Sequence, residues 1–255
     1  VEPVKPGTIK ETREFISKYD GVDGFKLYGF ERFIYQFISD NYPEDQIEFD
    51  ISKIKLVTID IETKSENGFP DVESASEEIL LVTIQDYTTK EIITWGTRPF
   101  NNTHDNVDYR LCNDEHHLLN SFIQWWIENT PDVVTGWNCE FFDIPYITGR
   151  LNRVLGSKLM KRLSPWGLVT QSDIVVRGRK NSIVDIGGVS ILDYMRLYKW
   201  SPGTPNQESF RLDYIAQQEL GQQKLDHSEF DTFKDFYTKG WQKFVEYNII
   251  DVELV

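Results

Sequence analysis

From residue 54 onward, apolar and polar positions alternate in short runs that predict strands, separated by longer stretches with helical spacing. The run IKLVTIDIE predicts a strand over 54–62. After a loop through Gly68 and Pro70, two more strands are predicted around 79–87 and 91–95. A helix of mixed polarity follows at 115–129, then a strand at 133–137 and a helix from about 144 to 155. In the turn-punctuated stretch SDIVVRGRKNSIVDIGG, two β-rich runs flank residues 177–181, which predicts a β-hairpin. A strand over 189–194 comes next, and a helical segment from about 234 to 255 closes the chain. Strands and helices at these spacings imply an α/β fold in which a mixed sheet is covered by helices.

The first fifty residues have a different texture. They offer an amphipathic helix at 9–19, a Gly-rich turn at 21–24, an apolar segment around 30–38 and a polar linker over 41–50. The expected organisation is a partial N-terminal lead-in domain, 1–52, followed by one α/β domain, 53–255.

Composition adds limits. At 40% hydrophobic and 27% charged the chain is that of a globular protein. Its longest apolar runs, such as ILLVTI at 79–84, fall far short of the roughly 20 residues a membrane helix needs. The chain starts at Val1 and shows no secretion signal, so a fragment of a longer, cytoplasmic protein is expected. Cys112 and Cys139 sit in unrelated contexts, which indicates neither a disulfide framework nor a zinc site. With 27 basic against 41 acidic side chains the net charge is −14 and the pI near 4.8, which argues against a nucleic-acid binder held by a basic face. The charge is uneven, however: −4 over 1–53, −12 over 54–143, +7 over 144–212 and −5 over 213–255. A basic block of this kind reads as a solvated surface unless the acidic part is a metal site.

Three segments place carboxylates where they could do chemistry. In Ile59-Asp60-Ile61-Glu62 the period of two puts both acids on one face of a strand and both isoleucines on the other. Any half-solvated strand shares that pattern. In Asn138-Cys139-Glu140-Phe141-Phe142-Asp143, the aspartate opens a helix, where it suits either an N-cap or a metal. Tyr247 and Asp251 stand one helical turn apart, as a surface pair also would.

Together the three segments resemble, in order and spacing, the exonuclease motifs of family B DNA polymerases: Asp-x-Glu on a strand, Asn-x4-Asp opening a helix, and Tyr-x3-Asp on a later helix. The phrases GWNCEFFDIPY, KRLSP, SILDYMRLYK and YNIIDV are similar to those of the replicative polymerases of T-even-type bacteriophages. The resemblance runs from about residue 54 to the end. It implies a ribonuclease H-like mixed β-sheet flanked by helices, with an inserted β-hairpin, and a proofreading 3′→5′ exonuclease that hydrolyses phosphodiesters at single-stranded DNA 3′ ends. None of His104, His116, His117 or His227 lies one turn before Asp251, so the tyrosine subclass is implied. No Asp-Thr-Asp motif of a polymerase site occurs, and the lead-in is short for the family's first domain.

The resemblance further implies two divalent metal ions, Mg²⁺ or Mn²⁺, because hard oxygen ligands suit such ions and a pair of them can both activate water and stabilise the leaving oxygen. Asp60, Glu62 and Asp251 would hold one ion, with Asp60 bridging to a second that Asp143 helps position. Tyr247 would hydrogen-bond the attacking water or the scissile phosphate. Phe69 is expected against terminal bases, or else as a loop plug in the core. Asn138 and Phe142 are expected to line the strand channel, and Trp137 and Phe141 to belong to the core. Arg177, Arg179 and Lys180 on the hairpin would meet phosphates or merely solvate a turn, and Lys224 is a further candidate phosphate contact. Asp185, Asp193 and Asp213 receive no catalytic role. The partners implied are a single-stranded DNA 3′ end and the rest of a polymerase chain, with a monomer and no membrane expected. Two other functions compete: an inert single-stranded-DNA-binding module, and a ribonuclease H-like nuclease acting on RNA.

Overall fold

The computed structural model describes residues 3–5, 7–28, 33–42, 48, 50–66, 68–176 and 178–255, the side chain of Arg179 excepted. The chain divides into two compact units, 1–51 and 52–255.

In the first unit, α1 (Ile9–Tyr19) starts at a capping box in which Thr8 Oγ1 accepts the Glu11 N–H, while the Glu11 carboxylate accepts the Thr8 N–H at 2.7 Å. The apolar segment predicted around 30–38 forms α2 (Phe33–Asn41) as far as it is described. Most of the predicted 41–50 linker lies outside the described residues.

Among the described residues the second unit holds eight strands: β1 (Leu56–Thr63), β2 (Ile79–Asp86), β3 (Ile92–Gly96), β4 (Val107–Leu111), β5 (Val133–Gly136), β6 (Val169–Val176), β7 (Arg179–Ile186) and β8 (Ser190–Asp193). Six of them make one sheet in the order β4-β3-β2-β1-β5-β8. The β1/β2 and β2/β3 pairs are antiparallel, and β3/β4, β1/β5 and β5/β8 are parallel. This is the mixed sheet flanked by helices read from the sequence, in the ribonuclease H-like arrangement.

The alternation in β1 sorts its two faces. Ile59 and Ile61 enter a core with Phe122 and Trp126 of α3 (Glu115–Glu128) and Ile144 and Ile147 of α4 (Asp143–Leu155). On the opposite face, Leu81 of β2 packs in a second core with Phe236 of α8 (Phe233–Lys239) and with Phe244, Val245 and Ile249 of α9 (Trp241–Glu253). Asp60 and Glu62 therefore look toward α9. Close approach of β5 to β1 depends on Gly136, where a Cβ would lie 2.6 Å from the Ile59 carbonyl oxygen.

Three departures from the sequence reading have simple causes. The predicted terminal helix is two helices, α8 and α9, parted at Gly240, where a Cβ would sit 2.3 Å from the Phe230 ring. The strand β4 was not expected because it is an edge strand with only Val107 buried, so its alternation is faint. Between 194 and 233 the helices α6 (Tyr194–Trp200) and α7 (Leu212–Leu220) are short, with no buried residue in α6 and only Leu212, Ile215 and Ala216 buried in α7, which leaves little periodicity to read; the four-residue turn α5 (Ser157–Met160) is shorter still. The expected hairpin is β6–β7, a separate two-stranded ribbon turning through Gly178 at φ +78°. Among the described residues no helix is long and apolar enough to cross a membrane, and Cys112 and Cys139 are both buried and free.

Candidate active site

Strand β1 and helix α9, far apart in sequence, meet across the second core and bring three acids together. Asp60, Glu62 and Asp251 each offer one oxygen within 4.8 Å of the others. Asp251 is 4% exposed, and its Oδ1 has no hydrogen-bond partner among the described residues. Its Oδ2 accepts from Lys224 Nζ at 2.5 Å, and the same ammonium donates to the Tyr247 hydroxyl at 3.1 Å.

Asp143 stands beside this group rather than within it. It is the first residue of α4 and makes no N-cap; instead its Oδ1 accepts the Ile61 N–H at 3.0 Å, tying α4 to β1. All four acids line one cleft of about 510 Å³, with Tyr247 and Lys224 in its wall.

Crowding so many carboxylates in a dry cleft favours their neutral forms. Desolvation, followed by the charges of Asp143, Asp251 and Glu62, holds Asp60 well above the ordinary carboxylate range, against Lys224. Glu62 is pushed up to about 8, mainly by burial and then by Asp251. Burial lifts Asp143 to about 7 although the Ile61 N–H opposes it, and lifts Asp251 to about 6 although Lys224 opposes it. For Lys224 itself burial is the largest influence and would lower it. The charges of Asp251, Tyr247 and Asp60 outweigh burial and keep the ammonium protonated. The Tyr247 phenol is held above its usual value, first by burial and then by the Asp251 charge.

A hard divalent cation fits such a donor set. Carboxylate oxygens are the ligands Mg²⁺ and Mn²⁺ prefer, Oδ1 of Asp251 has no partner among the described residues, and added positive charge would relieve the mutual repulsion.

The aromatic wall differs in part from expectation. Phe69 is 81% exposed, so it is no core plug; its ring leans on Phe142 at 4.9 Å between centroids, and Phe142 on Tyr146 at 5.5 Å. Asn138 adopts a left-handed backbone at φ +69°, and its carbonyl accepts the N–H groups of both Phe141 and Phe142 at 3.1 Å. That turn aims the chain from β5 into α4. Trp137, expected in the core, is half-buried against a small core of Leu212, Ala216 and Leu254; it also lines the cleft and donates its indole N–H to the Phe210 carbonyl at 3.0 Å. Phe141 is half-buried beneath the Arg196 guanidinium rather than in the core, because the turn at Asn138 carries it outward.

On the hairpin, Arg177 and the side chain of Arg179 lie outside the described residues. Lys180 is ion-paired with Asp173 at 2.9 Å, both exposed, and lines a second groove of about 680 Å³ that shares Phe69 and Pro70 with the acidic cleft. A third groove, about 830 Å³, shares Asp60, Trp137, Lys224 and Tyr247 with it. Of the remaining acids, Asp185 is exposed, and Asp213 pairs with Arg211 at 3.5 Å. Asp193 is structural: it caps α6 through the Arg196 N–H at 3.1 Å and also accepts the Glu140 N–H at 3.1 Å.

Two residues of the site carry little local signal. Lys224 belongs to an irregular stretch, where a lone lysine is ordinary. Asn248 donates from Nδ2 to Asp60 Oδ2 at 2.6 Å. The one hint of its role is that, with Asp251, it is a polar residue among the apolar buried positions of α9.

Known proteins resemble this chain in sequence. The family described as DNA polymerase family B, exonuclease domain, matches residues 32–215, which includes the segments bearing Asp60, Glu62 and Asp143. The DNA-directed DNA polymerase of Enterobacteria phage T4 is 31% identical over 278 residues, and that of Escherichia phage RB69 is 29% identical over 269. These similarities cover 99% and 96% of this chain but only 30% and 29% of the two phage proteins. A DNA polymerase from Bombyx mori nuclear polyhedrosis virus is 28% identical over 156 residues, 60% of this chain and 16% of its own length. From the match over 184 of 255 residues and the nearly end-to-end similarity to two phage enzymes, the chain belongs to the exonuclease domain family of the family B DNA polymerases.

Proposed function

We propose that this chain is the proofreading 3′→5′ exonuclease part of a DNA polymerase, hydrolysing the terminal phosphodiester of single-stranded DNA with two divalent ions. The observation that carries the reading is the convergence of Asp60, Glu62 and Asp251, each with one oxygen within 4.8 Å of the others, where Asp251 also has an Oδ1 without a hydrogen-bond partner among the described residues. Asp60, Glu62 and Asp251 would hold one ion, and Asp143, beside Asp60, would help hold a second. When bound, the ions would supply an activated water and charge stabilisation for the leaving 3′-oxygen.

The chain's own groups suit the remaining tasks. Because Lys224 donates to the Tyr247 hydroxyl, the phenol's single hydrogen is left to donate into the cleft, toward a water or a phosphate oxygen. Burial keeps that phenol protonated at neutral pH. The Lys224 ammonium adds a positive charge next to the position of the scissile phosphate. The exposed Phe69 ring, braced by Phe142, offers a sequence-blind platform for bases. Asn138 and Lys180 extend the proposed strand path, and Arg177 and Arg179 are proposed as further phosphate contacts on the sequence alone. The proposed setting is a monomeric part of a longer cytoplasmic polymerase chain.

The test is release of a 3′ label from single-stranded DNA in Mg²⁺ or Mn²⁺. Release should stop in EDTA and in Asp60→Ala. Label lost under either control overturns the mechanism; no loss in any metal favours a binding module, and RNA degraded as fast as DNA favours a ribonuclease.

A further inference from the structure

We propose that Asn248 is a positioning residue that holds the Asp60 carboxylate in place for a cation, and that Thr83 and Thr94 set the direction in which its amide points. This inference rests on the exonuclease reading above. Asn248 is 0% exposed and lies on α9 between Tyr247 and Asp251. Its Nδ2 donates to Asp60 Oδ2 at 2.6 Å, and its Oδ1 accepts from the Thr83 hydroxyl of β2. The Thr83 hydroxyl is in turn 2.9 Å from that of Thr94 on β3, and both threonines are 0% exposed.

Counting hydrogens fixes the polarity of this relay. A hydroxyl has one hydrogen, and Thr83 spends it on Asn248, so Thr94 must donate to Thr83. The amide oxygen is thereby occupied, and its N–H side faces Asp60. The carboxylate then meets a donor, not another acceptor, in a cleft where Asp143, Asp251 and Glu62 all repel it. Rotation of Asp60 would break its bond to Asn248, so the residue stays where one oxygen lies within 4.8 Å of those of Glu62 and Asp251.

The residue types are constrained for the same reason. Aspartate at 248 would add a further negative charge to the cleft, and leucine would leave the Thr83 hydroxyl and Asp60 Oδ2 without their partner. Groups that orient metal-binding carboxylates commonly change metal affinity by roughly 10–100-fold when removed.

The relay is tested on the 255-residue chain by titrating Mn²⁺ and following the free ion by electron paramagnetic resonance. Melting in EDTA, and kcat and KM on a single-stranded oligonucleotide, are measured alongside. Asn248→Ala should weaken Mn²⁺ binding roughly 10-fold or more and lower kcat, with KM changed about twofold at most. Thr83→Val keeps Asn248 but frees its amide to turn, and should weaken binding about threefold or more; Thr83→Ser should restore it. Combining Thr83→Val with Asn248→Ala should weaken binding no further than Asn248→Ala alone. Wild-type Mn²⁺ affinity in folded Asn248→Ala or Thr83→Val, or Thr83→Ser as weak as Thr83→Val, overturns the relay. Should Asn248→Ala fail to fold, the Thr83 pair decides. A wild-type chain that neither binds Mn²⁺ nor degrades DNA overturns the exonuclease reading and the relay together, whereas wild-type binding with unaltered variants overturns the relay alone.

Discussion

Replacing Lys224 by methionine keeps most of the side-chain volume and removes one charge, which makes it a sharp probe of the acidic cleft. Lys224 is the ammonium that answers Asp251, and the two side chains are 23% and 4% exposed. Removing one partner of a buried ion pair costs about 3–5 kcal/mol. Water reaches the lysine, so about 2–3 kcal/mol is the expected loss near pH 8. In a chain of this size that lowers the melting temperature by roughly 4–12 °C. The pH dependence follows from the sign of the Asp251 shift. Its carboxyl sits at about 6, above the ordinary value of 3.8, so folding is favoured by the protonated form. That contribution to stability is complete below the unfolded value and is lost as pH rises through the folded one. Without Lys224 the folded value climbs further, and protonation of Asp251 becomes the route by which the variant avoids a bare buried charge. The deficit of Lys224→Met should therefore be largest at pH 8 and shrink toward pH 5, by scanning calorimetry in EDTA. Saturating Mn²⁺ at pH 8 should recover at least half of it, since the cation would take over the neutralising role. A deficit of equal size at both pH values and with Mn²⁺ would show that the lysine contributes packing rather than charge, and would refute this account of the cleft.

Three further outcomes are expected of the same cleft. Phe69→Ala should raise KM for single-stranded DNA about 10-fold, within the ~1–3 kcal/mol expected for one stacked base. Because the ring is 81% exposed, the melting temperature should stay within about 1 °C, and a large drop would return Phe69 to a core role. Glu62 at about 8, Asp143 at about 7 and Asp251 at about 6 all lie above ordinary carboxylate values, so metal-free protein should melt higher as pH falls from 9 toward 6. Mn²⁺ should add more stability at pH 8.5 than at pH 5.5, because its binding must release protons; an increment independent of pH would contradict metal binding by these acids.

The sequence by itself determined the layered fold and the residues of chemical interest. Alternation along 54–62 was enough to send Ile59 and Ile61 into one core and Asp60 and Glu62 to the other face, since successive strand side chains must point oppositely. Helical spacing likewise put Tyr247 and Asp251 on one side of α9. Periodicity names a face, however, and never what lies across from it. Only the tertiary structure brought Lys224 out of an irregular stretch to Asp251, joined Thr94, Thr83 and Asn248 to Asp60 over four elements, and turned Asp143 from a plausible helix cap into a bond to Ile61. It also exposed Phe69, which its surrounding loop could equally have buried. These contacts depend on chain segments tens to hundreds of residues apart, whose meeting is fixed by how the two cores pack against the sheet, and no local pattern encodes that meeting.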